Sequence, residues 1–281
     1  MIAQNFEYSV PTTLSEALGL LADGSAKVLA GGMSLIPLMK LRLAAPEHVV
    51  DMGRIPGLNE ITRTADGIHI GAMATHYQVE SSPVLRADCP LLAETASHIG
   101  DVQVRNMGTV GGSIAHCDPA ADYPAALFAL EAQVRLASKS GERTLPFADF
   151  LVDTFTTALE PGEIVTGIVV PVESSGVGVS YQKMHQPASG FALVGVAARV
   201  SRANGRIGFA RVGVTGLAAK AYRAANVERI LLATGDIDKA AAAVADGIEA
   251  NSDLNASATY RSHLARVYTA RALRVALSRT A

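Results

Sequence analysis

A Gly-Gly step set directly behind a short apolar strand leaves a chain few local options, and this chain has two Gly-Gly steps of similar chemistry. The strand Lys27-Val28-Leu29-Ala30 runs into Gly31-Gly32-Met33-Ser34, and a helical pattern follows from Leu35 to Leu43. Later, Thr109-Val110-Gly111-Gly112-Ser113-Ile114 reads as a glycine-rich strand or turn. Each step pairs two glycines with a nearby hydroxyl. Glycine lets the backbone approach a ligand closely and turn its N–H groups toward an anion, and a helix N-terminus strengthens that preference. Two such loops can hold the two phosphates of a dinucleotide between them. With 25 glycines in the chain, they can equally be ordinary turns. Neither loop matches G-x-G-x-x-G or G-x-x-x-x-G-K-[ST], so the Rossmann and P-loop fingerprints are absent.

Around these loops the first half alternates helix and strand. Thr12 or Thr13 caps a helix opening at Leu14, with Glu16 in capping-box spacing and Leu14, Leu18 and Leu21 on one face. Strands are expected at 27–30, 48–52, 67–72 and 164–170, and a hairpin over 134–145. Helices are expected over 75–99, broken at Ser81-Ser82-Pro83, and over 119–130, where Asp118-Pro119 has the form of a cap and first helical residue. The first half therefore reads as α/β. Composition shifts at Glu173-Ser174-Ser175-Gly176, a candidate linker. Beyond it come strands 179–183, 192–200 and 207–215, the last two joined through Asn204-Gly205, a strong hairpin signal. Helices at 221–233, 237–250 and 258–277 follow, the order of a small α+β unit.

Several function classes are excluded or lack an anchor. The chain has 281 residues, 49% of them apolar and only 18% charged, with 24 basic against 26 acidic side chains, so neither sign favours nucleic acid or an acidic membrane. Its two cysteines, Cys89 and Cys117, form no C-x-x-C, so the chain has no cysteine set for a zinc ribbon or an iron–sulfur cluster. They also suggest a reducing compartment, the cytoplasm by default. No secretory signal and no membrane span is expected. His98, His116 and His185 lack metal-ligand spacing, and there is no G-x-S-x-G elbow for a hydrolase. Arg105 reads as a buttress or a phosphate ligand, and Phe147, Phe150 and Phe155 as a core stripe. Asp118 is explained by capping. Asp122, four residues on, is positioned to accept hydrogen bonds from ribityl hydroxyls or to favour the helix dipole.

The stretch Ala30-Gly31-Gly32-Met33-Ser34-Leu35-Ile36-Pro37-Leu38-Met39-Lys40 resembles the first flavin loop of the medium subunits of bacterial carbon monoxide dehydrogenase and its relatives. Gly100-Asp101-Val102-Gln103-Val104-Arg105-Asn106-Met107-Gly108-Thr109-Val110-Gly111-Gly112-Ser113 resembles their second, and Asp118-Pro119-Ala120-Ala121-Asp122 continues it. The opening Phe6-Glu7-Tyr8 with Pro11 agrees as well, so the resemblance covers nearly the whole chain. It implies an α+β architecture: a two-subdomain FAD-binding fold of the vanillyl-alcohol-oxidase type over 1–173, with two α/β subdomains split near 55. A C-terminal α+β domain over 174–281, a three-stranded antiparallel sheet with helices, would cover the flavin side. It further implies that Ala30, Gly31, Gly32, Met33, Ser34 and Leu35, with Thr109, Val110, Gly111, Gly112 and Ser113, hold the pyrophosphate and adjoining groups. Asp118 and Asp122 would lie by the ribityl or ribose hydroxyls, and Lys183 and Phe191 near the flavin ring. A solvated strand lysine is the competing reading of Lys183.

The resemblance implies a role as well. The chain would bind FAD non-covalently and serve as the electron-transfer subunit of a molybdenum hydroxylase. A large subunit would carry the molybdopterin cofactor and a small one two [2Fe–2S] clusters, in a dimer of heterotrimers. The family often has Arg where Met107 stands and a polar residue at Met33. Carbon monoxide dehydrogenases carry an acidic residue and Tyr in place of Gly190 and Phe191, which points toward relatives that hydroxylate N-heterocycles or aldehydes. Two other classes stay open: a stand-alone FAD-dependent oxidase, and a non-catalytic nucleotide-binding scaffold.

Overall fold

The computed structural model describes residues 2–280. Parallel strands cannot be joined by tight turns, and the first 51 residues obey that constraint. β1 (Glu7–Ser9) and β2 (Ala26–Leu29) both pair in parallel with β3 (His48–Asp51), in the order β1-β3-β2. The crossovers are α1 (Leu14–Leu20) and α2 (Leu35–Lys40). Thr13 caps α1 in a complete capping box with Glu16, as the spacing predicts. Leu18, Leu21, Val50 and Met52 close a small core beneath this sheet. β1, three residues long, has no periodic signal of its own and was not expected from the sequence.

The second sheet differs from the α/β reading. β4 (Ile61–Thr64), β5 (Gly67–Gly71), β6 (Gln133–Ser138), β7 (Gly141–Pro146) and β10 (Ile164–Val170) form an antiparallel sheet in the order β4-β5-β10-β6-β7. Its helices are inserted as a block between β5 and β6. They are α3 (His76–Ser81), α4 (Pro83–Asp88), α5 (Pro90–Ser97), α6 (Val102–Met107), α7 (Val110–His116) and α8 (Tyr123–Leu130). A four-residue helix α9 (Phe147–Phe150) and a small ribbon, β8 (Leu151–Asp153) with β9 (Thr156–Thr157), precede β10. Phe147 and Phe150 belong to the core, whereas Phe155 is exposed with φ +50° and stacks on His116, so the stripe ends at Phe150.

Residues 110–116 form a helix, not a strand, because Thr109 caps it and the chain around Ala72 and Ala74 accepts its first N–H groups. Helix α8 starts at Tyr123 rather than Pro119; Asp118 does not cap it, and its Oδ1 instead accepts from Ala120 N at 2.8 Å in a local turn.

The C-terminal part carries a four-stranded antiparallel sheet, not a three-stranded one. β11 (Val177–His185), β12 (Ala192–Ala203) and β13 (Arg206–Thr215) are joined by β14 (Tyr222–Arg223), two residues long. Asn204 and Gly205, both at positive φ, make the β12–β13 turn. β14 takes the start of the expected 221–233 helix, so α10 spans Ala225–Thr234, followed by α11 (Ile237–Ala242) and α12 (Ala258–Ser278). The second face of the sheet receives α8: a Cβ on Gly213 would lie 1.9 Å from the carbonyl oxygen of Ala125, so helix and strand are in backbone contact. The candidate linker is equally anchored. Glu173 and Arg199 pair at 2.7 Å with both side chains under 10% exposed.

Candidate functional site

Seventy-odd residues of chain separate the two Gly-Gly loops, and the fold brings them into contact. A Cβ on Gly31 would stand 1.9 Å from the carbonyl oxygen of Met107 and 2.8 Å from the Cα of Gly108. A Cβ on Gly112 would lie 3.5 Å from that of Ala30. The strand-to-helix turn after β2 therefore rests on the α6–α7 turn, backbone against backbone.

Their backbone amides are used in opposite ways. In the second loop, Val110 N–H donates to Ala74 O at 3.0 Å, Gly111 N–H to Ala72 O at 2.9 Å, and Ser113 N–H to Thr109 O at 3.0 Å. Gly112 N–H donates to Thr109 Oγ1 at 3.1 Å. A Cβ on Gly111 would lie 2.4 Å from that of Ala72, so this glycine is required by packing. In the first loop, among the described residues, the amides of Gly31, Gly32, Met33, Ser34 and Leu35 donate to no group of the protein. Gly32 sits at φ +72°, the left-handed region that lets neighbouring N–H groups face one side. Ser34 occupies the cap position of α2 without using its hydroxyl, and Pro37 lies in the first turn.

The third component comes from the C-terminal sheet. Asp122 is 4% exposed, and its carboxylate is held from both sides. Lys183 Nζ donates to Oδ2 at 2.9 Å and to His98 O at 2.9 Å, and lies 2.8 Å from Oδ1 in an ion pair. Tyr181 Oη donates to Oδ1 at 2.5 Å. Burial pushes the Asp122 carboxyl up, against the pull of the Lys183 ammonium and of both hydrogen bonds. Burial also raises the Tyr181 hydroxyl well above its ordinary range, so it stays a donor. The lysine is therefore not a solvated strand residue: its side chain is 2% exposed. Asp122 stands at the N-cap of α8 without a side-chain capping bond, and its oxygens accept from Tyr181 and Lys183.

Other side chains sort by what they touch. Arg105 is a buttress: it pairs with Glu80 at 3.0 Å and donates to the carbonyls of Ile99 and Gly100. Phe191 is exposed, at the tip of a loop whose Gly190 approaches Gly100; a Cβ there would lie 3.3 Å from the Gly100 Cα. Met33, Ile36 and Met107 are exposed around the loop contact. Cys117 caps α7 at φ +56°, with its thiol toward the carbonyls of Asp153 and Thr156, and burial pushes it up, away from thiolate chemistry.

His76, which the sequence did not single out, lies under the second loop. Its Nδ1 is 3.2 Å from Tyr123 Oη, its ring fills the space a side chain at Gly108 would need, and burial holds it down at about 4, hence neutral. The only sequence signal nearby is the Thr75–Gln78 capping box. A cleft of about 550 Å³ between α5, β11 and the end of α12 is lined by Arg86, Glu94 and Arg279 and by no residue of either loop. Among the described residues no three His, Cys, Asp or Glu side chains converge as a metal site, and no helix is long and apolar enough to cross a membrane.

Five consecutive unpartnered amides around a left-handed glycine suit a pyrophosphate, and the second loop supplies a rigid wall behind them. Comparison with known proteins agrees with that fit. Residues 4–173 match the family described as the FAD binding domain in molybdopterin dehydrogenase, and residues 179–276 the CO dehydrogenase flavoprotein C-terminal domain. The chain is 39% identical to the carbon monoxide dehydrogenase medium chain of Hydrogenophaga pseudoflava, covering 100% of both. It is 37% identical to subunit alpha of the 6-hydroxypseudooxynicotine dehydrogenase complex of Paenarthrobacter nicotinovorans, over 98% of this chain and 95% of that one. The solved structure of the Hydrogenophaga pseudoflava carbon monoxide dehydrogenase superposes with a TM-score of 0.95 at 40% identity, covering 100% of both chains. Matched end to end by these profiles and relatives, the chain belongs to the FAD-binding medium subunits of the molybdenum hydroxylase family, the flavoprotein component of an oxidoreductase.

Proposed function

We propose that this subunit receives electrons from the [2Fe–2S] clusters of a small partner subunit and passes them to an external acceptor, while a large partner carries the molybdopterin cofactor and the substrate. The observation that carries this reading is the row of open amides from Gly31 to Leu35, braced against the second glycine loop. FAD, when bound, supplies the capacity to store two electrons. The rest falls to the chain. The first loop neutralises the pyrophosphate through backbone N–H groups. Thr109, Gly111 and Gly112 keep the second loop rigid, and Ser113 adds a hydroxyl. Asp122 and Lys183 form the polar wall toward the flavin ring, with Asp118 and Phe191 at its margins. Binding is non-covalent: the Cys117 thiol points into the β8–β9 ribbon and is not activated.

The complex is proposed to be a dimer of heterotrimers in the cytoplasm, in keeping with two free, buried cysteines. Its substrate is proposed to be an N-heterocycle or an aldehyde, supported by Gly190-Phe191 in place of the acidic residue and Tyr of carbon monoxide dehydrogenases. Native purification tests the whole reading. A flavin spectrum that leaves the protein on acid precipitation, with iron and molybdenum subunits copurifying, is the expected result. Yellow colour retained in the acid pellet would overturn non-covalent binding. Substrate turnover by the isolated chain would replace the subunit reading with a stand-alone oxidase, and a colourless chain would leave a scaffold.

A further inference from the structure

We propose that Tyr181 is a positioning residue whose hydroxyl, admitted by Gly195, pins the Asp122 carboxylate and thereby sets how much of the Lys183 charge reaches the flavin. This rests on the reading that Lys183 faces the flavin.

Lys183 is not a free cation. It lies against both oxygens of Asp122, so the pair is close to neutral and its field at a neighbour depends on how far the carboxylate charge is drawn elsewhere. Tyr181 is the group that draws it: a 2.5 Å O–H to carboxylate contact is in the range of strong charge-assisted hydrogen bonds. The contact exists only because residue 195 has no side chain. A Cβ there would stand 2.2 Å from Tyr181 Oη and 3.0 Å from its Cζ.

The loop bearing Asp122 is gripped by the same sheet. Thr215 Oγ1 reaches Pro119 O and Ala121 O, Gly216 N–H donates to Pro119 O, and Ala192 N–H donates to Ala120 O. The backbone carrying Asp122 is thus fixed independently of the hydroxyl, and Lys183 still holds the carboxylate when the hydroxyl is removed. It stays beside Lys183 with its charge less dispersed, and cancels more of the ammonium's field. A negative charge gained nearby on reduction is then less stabilised, and the reduction potential falls.

The test is a redox titration of the FAD-loaded full chain. Lys183→Gln should lower the potential most, because it leaves Asp122 uncompensated. Tyr181→Phe should lower it by a smaller amount, since the ring is kept and only the hydroxyl is lost. Gly195→Ala should shift it in the same direction with the tyrosine still present, and the double variant should fall short of the sum of the two. The same cycle on the FAD-free chain should show non-additive losses in Tm.

A potential in Tyr181→Phe equal to or above wild type, with Lys183→Gln lowered, overturns the proposal and leaves Lys183 beside the flavin. An unmoved potential in Lys183→Gln removes both the proposal and that placement, while FAD binding by the glycine loops stands. Should the Tyr181→Phe chain not retain FAD, Gly195→Ala and the FAD-free cycle decide: additive Tm losses overturn the proposal.

Discussion

The loops at 30–34 and 109–113 share a Gly-Gly step and a serine, and they lie against each other. One leaves five amides open and the other has its helix-start amides bound to the protein. The difference lies in what stands behind each. The second loop is backed by the chain at Ala72 and Ala74, whose carbonyls reach the start of α7, and Gly111 is the point of closest approach. In the first, the amides of Met33 to Leu35 meet no acceptor among the described residues, and its helix has no side-chain cap. Similar motifs therefore do different work. On the function proposed above, one is the binding surface and the other the wall that keeps it in place, with Gly31 on the seam between them.

The largest test of that division is Gly111→Ala. The added Cβ meets Ala72 at 2.4 Å and its backbone at 2.7 Å, atoms that cannot swing aside. The expected cost is about 3 kcal/mol or more, read by denaturant unfolding of the FAD-free chain. Gly31→Ala should behave alike, since its neighbour is the Met107 carbonyl. A stable Gly111→Ala chain that merely fails to bind FAD would make the second loop a binding surface after all.

Acid should separate the loops next. His76 sits beneath Gly108 and is held at about 4, below its ordinary value of 6.5. The unfolded chain therefore binds the extra proton first. The stabilisation is complete above pH 6.5 and is lost as pH falls from 6.5 toward 4, a total of roughly 3 kcal/mol. Burial lowers His98 and His116 in the same sense, so the expected result is a difference. His76→Gln should flatten the pH dependence of stability by about one proton over that window, and an unchanged slope would assign the acid sensitivity elsewhere.

How far the sequence carries is visible in these same residues. Local signals were legible: the Thr13–Glu16 box, the Asn204-Gly205 turn and the strand–Gly-Gly–helix order after residue 26 all formed, although α2 stops at Lys40 rather than Leu43. Helix α7 was not, because Gly111-Gly112 is intrinsically poor helix and is held there by tertiary hydrogen bonds. The short strand β1 depends on a distant partner, β3, rather than on its own pattern, whereas β4 forms a tight hairpin with the adjoining β5. In the site, the resemblance pointed to Asp122 and Lys183, but nothing in the sequence joins two residues 61 apart into one buried pair, or shows Tyr181 as its third member. The division of labour between the loops was equally hidden, since it depends on carbonyls supplied by Ala72 and Ala74.

Gly32→Ala sharpens the comparison from the other side. The nearest obstacle to its Cβ is the tip of Ile36, which can move, so the folding cost is the left-handed φ, about 1 kcal/mol. Binding should suffer more. Realigning the amides of Met33 and Ser34 loses at least one charge-assisted hydrogen bond, or about tenfold or more in FAD affinity. Fluorescence titration of the FAD-free chain reads this directly, and unchanged affinity would remove Gly32 from the site.

The finest cut sets the two cap positions against each other. Thr109 uses its hydroxyl on Gly112 N–H, whereas Ser34 caps nothing and shares its loop with the open amides. Thr109→Val should therefore lower stability by about 1 kcal/mol, the worth of a typical N-cap, with FAD affinity held within about twofold once the chain is folded. Ser34→Ala should do the reverse. It removes no internal hydrogen bond, so stability should stay within about 0.5 kcal/mol. It takes one neutral donor from the pyrophosphate side, about 1 kcal/mol or roughly fivefold in affinity. Unfolding and FAD titration measured on both variants make a crossed design. A protein in which both hydroxyls stabilise the fold, or both bind the cofactor, would erase the distinction between the loops. One in which each variant moves only its own readout would fix it at the level of a single oxygen atom.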